Sequence, residues 1–505
     1  LIAPHDAVGT NLYGHVLRGR LMRVVPRENE AINETWIADR DRFSYEAVYS
    51  PDRLARPLTR RGADWGETDW ESALEHVARG LRERRDACGF LVSPSATLEE
   101  LYLAARIARG LGTHNIDHRL RQRDFRDAAA DPVAPGLGMR IGEVDALDSL
   151  LVVGSNLRRE VPILAHRVRK AARRGAQIAF VNPVRFPYQF PLAAYLPSAP
   201  RTMVGDLAAI LAAVSAAAGK AVPAHLAAAT AATQVSAEHR AAAAALVSGE
   251  QRAVWMGALA LRHPQFADLR ALAAGLAQLA GASFGVLAEG GNGAGAYLAG
   301  AVPHREAGGT PVAQPGLTAR DMLLKPLKAC VLVGGVEPSI DALAPDSASV
   351  FARSELVVAL TPFVSEELRR IAHVMLPMGT FAETSGTYVN CEGQWQSQTG
   401  AAAPLGEARP GWKVLRVLGN LLGLPGFDYQ SSEEVREELR ALCQRSAAQD
   451  YRGAHAVTPA GAASAAGAAG EVRVVDVPMY QTDALVRRAP SLQKTREGRT
   501  APAAY

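Results

Sequence analysis

GFLV (residues 89–92), SLLVVGSN (149–156), AQIAFVNP (176–183), ACVLVGGVEPS (329–339), ELVVALTP (355–362) and HVMLPM (373–378) are short stretches that are almost wholly apolar. Successive side chains of a strand point to opposite faces, so a strand with no polar face must be covered on both sides. Segments with helical periodicity separate these stretches. TDWESALEHVARGLRER places Trp70, Ala73, Leu74, Val77 and Leu81 on one face, with Thr68 and Glu71 at capping-box spacing. Thr97 and Glu100 cap the next helix in the same way. The stretch 149–183 reads as strand, helix and strand, a βαβ unit. An α/β fold with doubly wound parallel sheets follows.

The first 62 residues differ. HVLRGRLMRVVPRE alternates loosely about Gly19–Arg20, as a hairpin does, which predicts a small β-rich N-terminal domain. The expected division is 1–62 for that domain, 63–200 plus 325–450 for an α/β domain, and 201–324 for an inserted second α/β domain. An Ala/Gly linker at 451–470 and a docking tail at 471–505 complete it. The tail regains β-branched residues, with Arg487 and Arg488 expected to meet acidic groups on a partner. Arg167, Arg169, Lys170, Arg173 and Arg174 near one helix C-terminus read as a solvated, dipole-favoured end.

Lys and Arg total 55 against 51 Asp and Glu, and no basic run is interleaved with aromatics, so nucleic-acid binding has no support. Cys88, Cys330, Cys391 and Cys443 are too dispersed in sequence for a CxxC-type site and read as reduced, buried thiols. The long apolar run 207–219, broken only by Ser215, is too short to span a bilayer. The start at Leu1, without Met or a signal-peptide pattern, is expected to lie partway into a longer polypeptide.

The glycines at 290, 291, 293 and 295 do not form G-x-G-x-x-G, because position 298 is Leu. The exits near Gly154, Gly291 and Gly334 mark where a ligand crevice would lie in an open α/β sheet. His114 and His118 have i,i+4 spacing but no third ligand, so they read as a turn rather than a metal site.

LPMGTFAETSGTYVNCEGQWQSQTGAAAPLGEARPGWKVLRVLGNLLG resembles the molybdopterin oxidoreductase family through Glu383, Thr384, Gly386, Thr387, Asn390, Glu392, Gly393 and Gln396. Gly406, Glu407, Ala408, Arg409 and Trp412 extend the match, and RFSYEAVYSPDRLARPLTRRGADWGETDWESALEHVA and GTHNIDHRL resemble the family too. Gly386, between a strand and a helix, is expected to matter for folding, through strain if its φ is positive. In active members the N-terminal loop carries the cysteines of a [4Fe–4S] cluster, at C-x2-C-x3-C spacing with a distant fourth. Here those positions are Ala3, Asp6, Thr10 and Ala38, while Gly9, Asn11, Asp39, Arg40 and Phe43 of the framework remain. In the formate dehydrogenase branch a Cys or selenocysteine ligates molybdenum. Carried over from Gly112, Thr113, Asn115 and Asp117, that position falls on Arg123, which offers a metal no lone pair.

The losses fit one subfamily, the large iron–sulfur subunits of bacterial NADH–quinone oxidoreductase, respiratory complex I. PHDAVGTN, NEAINETWIADRDRFSYE and VGSNLRREVPILAHRVRKAARRGAQ are similar to it. The resemblance implies a non-redox scaffold portion of a subunit that relays electrons from NADH to quinone. It implies no catalytic, cofactor-binding or metal residues here, with 2Fe–2S and 4Fe–4S clusters in a missing N-terminal region. Partners would be other subunits of the hydrophilic arm, at the cytoplasmic face of the inner membrane and peripheral to it. The alternatives are an active molybdenum or tungsten oxidoreductase of the formate dehydrogenase type, or a nucleotide-binding module reusing the pterin crevice.

Overall fold

The computed structural model describes residues 1–231, 233–444, 458–459, 474 and 476–499. The linker expected at 451–470 falls almost wholly outside the described residues. The N-terminal hairpin is formed by β1 (Leu12–Leu17) and β2 (Arg20–Pro26). Its two-residue turn is Arg18–Gly19, with φ of 49° and 75°, so Arg20 already belongs to the second strand. Two left-handed residues match the twist of the flanking strands.

Two sheets form the body. β3 (Leu58–Arg61) and β4 (Asp64–Glu67) make an antiparallel edge on a seven-stranded sheet. Its parallel part contains β5 (Cys88–Val92), β6 (Ile116–Asp117), β12 (Ala329–Val333), β13 (Leu356–Thr361) and β14 (Val374–Pro377), in the order β4-β3-β14-β13-β12-β5-β6. The second sheet is wholly parallel, with β7 (Ser149–Val153), β8 (Gln177–Asn182), β9 (Ala194–Pro197), β10 (Arg252–Met256) and β11 (Ser283–Val286) in the order β11-β10-β7-β8-β9. A small ribbon pairs β15 (Gly386–Val389) with β16 (Trp395–Gln398).

Sheet membership departs from the expected division. The βαβ unit of β7 and β8 pairs with β10, not with the first sheet, so the second α/β body begins by β7 rather than at residue 201. A βαβ unit has the same local pattern whichever sheet it joins, and its partner lies about a hundred residues downstream. The apolar strands bury as expected: β5, β7, β12, β13 and β14 have no exposed residue, with helices on both faces.

Helix Leu98–Gly110 has the expected capping box, with Thr97 N donating to Glu100 Oε2 at 2.9 Å. Helix Trp70–Arg84 is capped instead by Asp69, whose carboxylate accepts from Ser72 N at 2.8 Å. The carboxylate next to the first turn displaces Thr68 from that role. The cations of helix Pro162–Arg173 are not all solvated. Arg167 is buried and donates to Ile32 O at 3.1 Å, Glu30 O at 2.6 Å and Asp145 at 3.0 Å, and Lys170 pairs with Asp145 and Glu34. These residues tie the N-terminal loop to the second sheet's helix layer.

Candidate functional site

The loop 3–10 is closed by backbone bonds, Ala3 N to Thr10 O at 3.0 Å and Leu12 N to Leu1 O at 2.9 Å. Gly9 has φ +71°, and a Cβ there would lie 2.2 Å from Gln396 Nε2, so the loop needs glycine for both conformation and space. The β15–β16 ribbon binds the loop in place. Gln396 Nε2 donates to Gly9 O at 3.0 Å, Asn11 Nδ2 to Gln396 Oε1 at 2.6 Å, Ile2 N to Gln398 Oε1 at 2.7 Å, and Cys391 N to Ala7 O at 2.7 Å.

The four expected cluster positions are buried here. Ala3 and Thr10 are fully buried, and Ala38 precedes the helix Asp39–Phe43. Asp6 accepts from Val8 N at 2.9 Å and forms a buried ion pair with Arg40, whose guanidinium also donates to Arg159 O at 3.1 Å and Glu160 O at 2.7 Å. A [4Fe–4S] cluster does not fit this lining: two positions carry methyl groups, one a hydroxyl, and the carboxylate is engaged by a cation. One thiol that sequence spacing missed, Cys391, adjoins the loop. Burial and the nearby Asp6 raise its pKa far above the usual thiol range, so it is a protonated core residue.

The ETSGTYVN run serves the same framework. Thr387 N and Oγ1 donate to the buried Glu99 at 2.9 and 2.7 Å, and Glu383 pairs with the buried Arg53 at 2.9 Å. Gly386 does not have a positive φ, so strain is not its reason for being glycine. A Cβ there would sit 2.5 Å from Thr97 Cγ2, at the capped start of helix Leu98–Gly110. Gly386→Val should therefore lower stability by about 1–3 kcal/mol through overpacking, read as a lower midpoint in chemical denaturation. An unchanged midpoint would show that Thr97 can yield.

A crevice lies at the C-terminal ends of β5, β7, β10, β11 and β12, where ligands sit in open α/β sheets. Gly334 lines it directly; at the other two predicted exits the neighbouring Asn156 and Gly290 do, while Gly291 packs against the Pro4 backbone. Arg123 does not line it. Its guanidinium donates to Ala342 O and Leu343 O at 3.2 and 3.1 Å, and Arg121, two residues earlier in the same turn, lies on the wall. Residues two apart would share a face of an extended strand, but the backbone turns at 120–121, so Arg121 and Arg123 meet different environments. Arg121, Arg159 and Arg262 bring positive charge, and Glu289 answers Arg262 at 2.6 Å and Arg121 at 3.5 Å. Burial first, and Glu289 in part, push the Glu160 carboxyl up to about 7 although Ser155 Oγ and Ala258 N both donate to it.

The rest of the wall comes from the far end of the chain. Asp476, Val477, Thr482, Asp483 and Ala484 all line the cavity, leaving about 80 Å³, room for on the order of five waters. Arg487 and Arg488, expected to face a partner, turn inward: Arg487 pairs with Glu337 and Asp341, both at 2.8 Å, and Arg488 with Glu337 at 2.7 Å. Burial would raise the Glu337 pKa, but the two guanidiniums outweigh it and hold it down to about 2. A pterin nucleotide does not fit the crevice with this segment in place, since the space left is far below the 300–1,000 Å³ of ordinary ligand pockets.

His118 lies elsewhere, buried edge-on to Tyr297 with Nδ1 donating to Ala301 O at 2.9 Å, and burial depresses its pKa to about 4. Among the described residues no group of three His, Cys, Asp or Glu side chains could hold a metal ion.

Comparison with known proteins agrees with this architecture. Residues 53–421 match the profile of the molybdopterin oxidoreductase family. The chain belongs to that family. Residues 2–46 match a second profile, NADH-ubiquinone oxidoreductase NDSU1/NuoG-like, 4Fe-4S domain. The G-type subunit of the NADH-quinone oxidoreductase of Mycobacterium bovis is 28% identical over 477 residues, 87% of this chain and 55% of its own length. The F420-dependent formate dehydrogenase subunit alpha of Methanocaldococcus jannaschii is 32% identical over 188 residues, 36% of this chain and 28% of its own. The chain thus spans about half the length, or less, of these curated relatives. Acetylene hydratase from Pelobacter acetylenicus has the same fold, with a TM-score of 0.66 at 14% identity, covering 88% of this chain and 72% of that one.

Proposed function

We propose that this molybdopterin oxidoreductase family member is the non-redox scaffold portion of a subunit of an NADH–quinone oxidoreductase. The observation that carries the reading is the loop 3–10 with residue 38: where the family resemblance expects thiolates the residues are Ala3, Asp6, Thr10 and Ala38, and Asp6 is paired with Arg40. Redox chemistry in such folds belongs to the cofactor, so a domain that holds neither cluster nor metal can pass no electrons. The similarity to the mycobacterial NADH-quinone oxidoreductase subunit over 87% of the chain supports the assignment to that assembly. On this reading the 2Fe–2S and 4Fe–4S clusters that carry electrons belong to the part of such a subunit outside the matched span. The partners are other subunits of the hydrophilic arm. Attachment to the cytoplasmic face of the inner membrane is peripheral and runs through the complex. No helix among the described residues is long and apolar enough to cross a membrane.

The purified chain should contain neither stoichiometric iron and acid-labile sulfide nor molybdenum, and should copurify with the other subunits from membranes. The likeness to a formate dehydrogenase subunit over residues of the same fold motivates the rival, a molybdenum or tungsten oxidoreductase. Stoichiometric molybdenum or tungsten with dye-linked formate oxidation would replace the scaffold reading with that one.

A further inference from the structure

We infer that residues 476–493 are the crevice's own ligand, a separable peptide that occupies in cis the site at the strand exits. The inference rests on the reading that no cofactor is seated there. Along the segment each charged group meets an opposite one on the wall. Asp476 pairs with Arg159 at 3.3 Å. Thr482 O accepts from Arg121 Nη2 at 2.8 Å. Asp483 meets His5 Nδ1 at 2.8 Å, while His5 Nε2 contacts Ser44 Oγ at 2.7 Å. Arg487 and Arg488 then fill the carboxylate pair Glu337 and Asp341.

The wall is shaped for this occupant. Glu337 and Asp341 have one cation of the wall near them, Arg121 at 3.6 Å from Asp341, and the segment brings two more at 2.8 Å or less. The Cβ position of Gly335 lies 3.4 Å from Ala484 Cβ, so backbone and wall are in contact at the middle of the segment. Beyond it, Val486, Ala489 and Leu492 are fully buried, and Ser491 N and Oγ donate to Glu46 at 2.8 and 2.5 Å.

The segment joins neither sheet. Its regular structure is one turn of 3-10 helix, Val486–Arg488, and the four-residue helix Pro490–Gln493, neither of which is stable alone. It is held by side chains against the crevice and not by a ladder. Releasing it leaves every strand pairing of the two sheets intact.

Hydrogen exchange followed by mass spectrometry on the full chain tests this. Glu337→Gln removes the charge shared by both arginines. It should speed exchange of the amides in 481–495 by about tenfold or more, while the amides of β7 and β12 keep their native rates. A second variant, Arg487→Gln with Arg488→Gln, removes the same ion pairs from the segment's side. It should speed exchange in 481–495 to a similar extent, again with β7 and β12 unchanged. Exchange in 481–495 that is unaltered by Glu337→Gln, that rises in step with the sheets, or that is already unprotected in the native chain overturns the inference. So does native exchange in 481–495 in the Arg487→Gln/Arg488→Gln variant. Metal found in the native chain would instead defeat the scaffold reading, and that measurement does not depend on the tail's exchange.

Discussion

Arg40→Met should destabilise the chain by about 3–5 kcal/mol, the range for removing one partner of a buried ion pair. Arg40 is fully buried and ties its own helix to two other elements: Asp6 in the loop 3–10, and the carbonyls of Arg159 and Glu160 in the short helix after β7. Methionine fills much of the volume but leaves Asp6 beside Asp41 with no cation in contact. The Asp41 carboxyl is already pushed up to about 7, first by burial and then by Asp6. A raised carboxyl pKa contributes stability that is complete below the unfolded value near 3.8 and is lost as pH rises through the folded value. Without Arg40 that folded value moves higher, so the deficit of the variant should be larger at pH 8 than at pH 5. Denaturant titrations at the two pH values check this. The double variant Asp6→Leu/Arg40→Met should recover part of the loss, because Asp6 no longer stands unpaired while Asp41 stays buried, and the recovery should be fuller at pH 5, where Asp41 is protonated. A single variant as stable as the native chain would mean that water reaches the pair.

The parts of this structure visible in the sequence were those decided by neighbours a few residues apart. Thr97 and Glu100 form their capping box because both halves lie within one turn. The strands 88–92, 149–153 and 329–333 were legible from composition, since burial on both faces leaves no position for a polar side chain. Long-range choices were hidden. Nothing local in 149–182 says whether β7 pairs with β10 or with β5, and nothing in RLRQRDF says that Arg121 rather than Arg123 faces the crevice. That positions 3, 6, 10 and 38 carry no thiol is plain from the sequence alone. That Asp6 is matched by Arg40 is not, although both residues were in view, because ion pairing depends on where the helix Asp39–Phe43 docks. The tail was legible as too small to fold alone, but its charges are as compatible with a partner as with Glu337 and Asp341.

The second large effect is expected from Arg270→Met, again about 3–5 kcal/mol. Arg270 projects from helix Phe266–Ala280 of the second α/β body and donates to Asp127 at 2.6 Å and to Asp131. Asp131 is shared with Arg119 at 3.2 Å, and Arg119 in turn holds Asp117, at the end of β6, at 2.8 Å. The network therefore bolts the second body to an edge strand of the first sheet, and all four of Arg119, Arg270, Asp117 and Asp131 are buried. Burial alone would raise the Asp131 pKa, but Arg270 and Arg119 outweigh it and hold it below the usual carboxylate range. A lowered carboxyl pKa contributes stability that is present above the unfolded value near 3.8 and disappears as pH falls through the folded value. Removing Arg270 raises that folded value, so acid unfolding of the variant should begin at higher pH than in the native chain. His118 and His304, both depressed to about 4 chiefly by burial, stay uncharged until the same acid range and do not substitute for the lost cation at neutral pH. Arg56→Met is the matched control: Arg56 also meets two carboxylates, Glu67 at 3.1 Å and Glu407 at 3.0 Å, but all three side chains are exposed, so its loss should leave the denaturation midpoint nearly unchanged. If the two variants lose the same stability and unfold at the same acid pH, burial of the network is not what gives it strength.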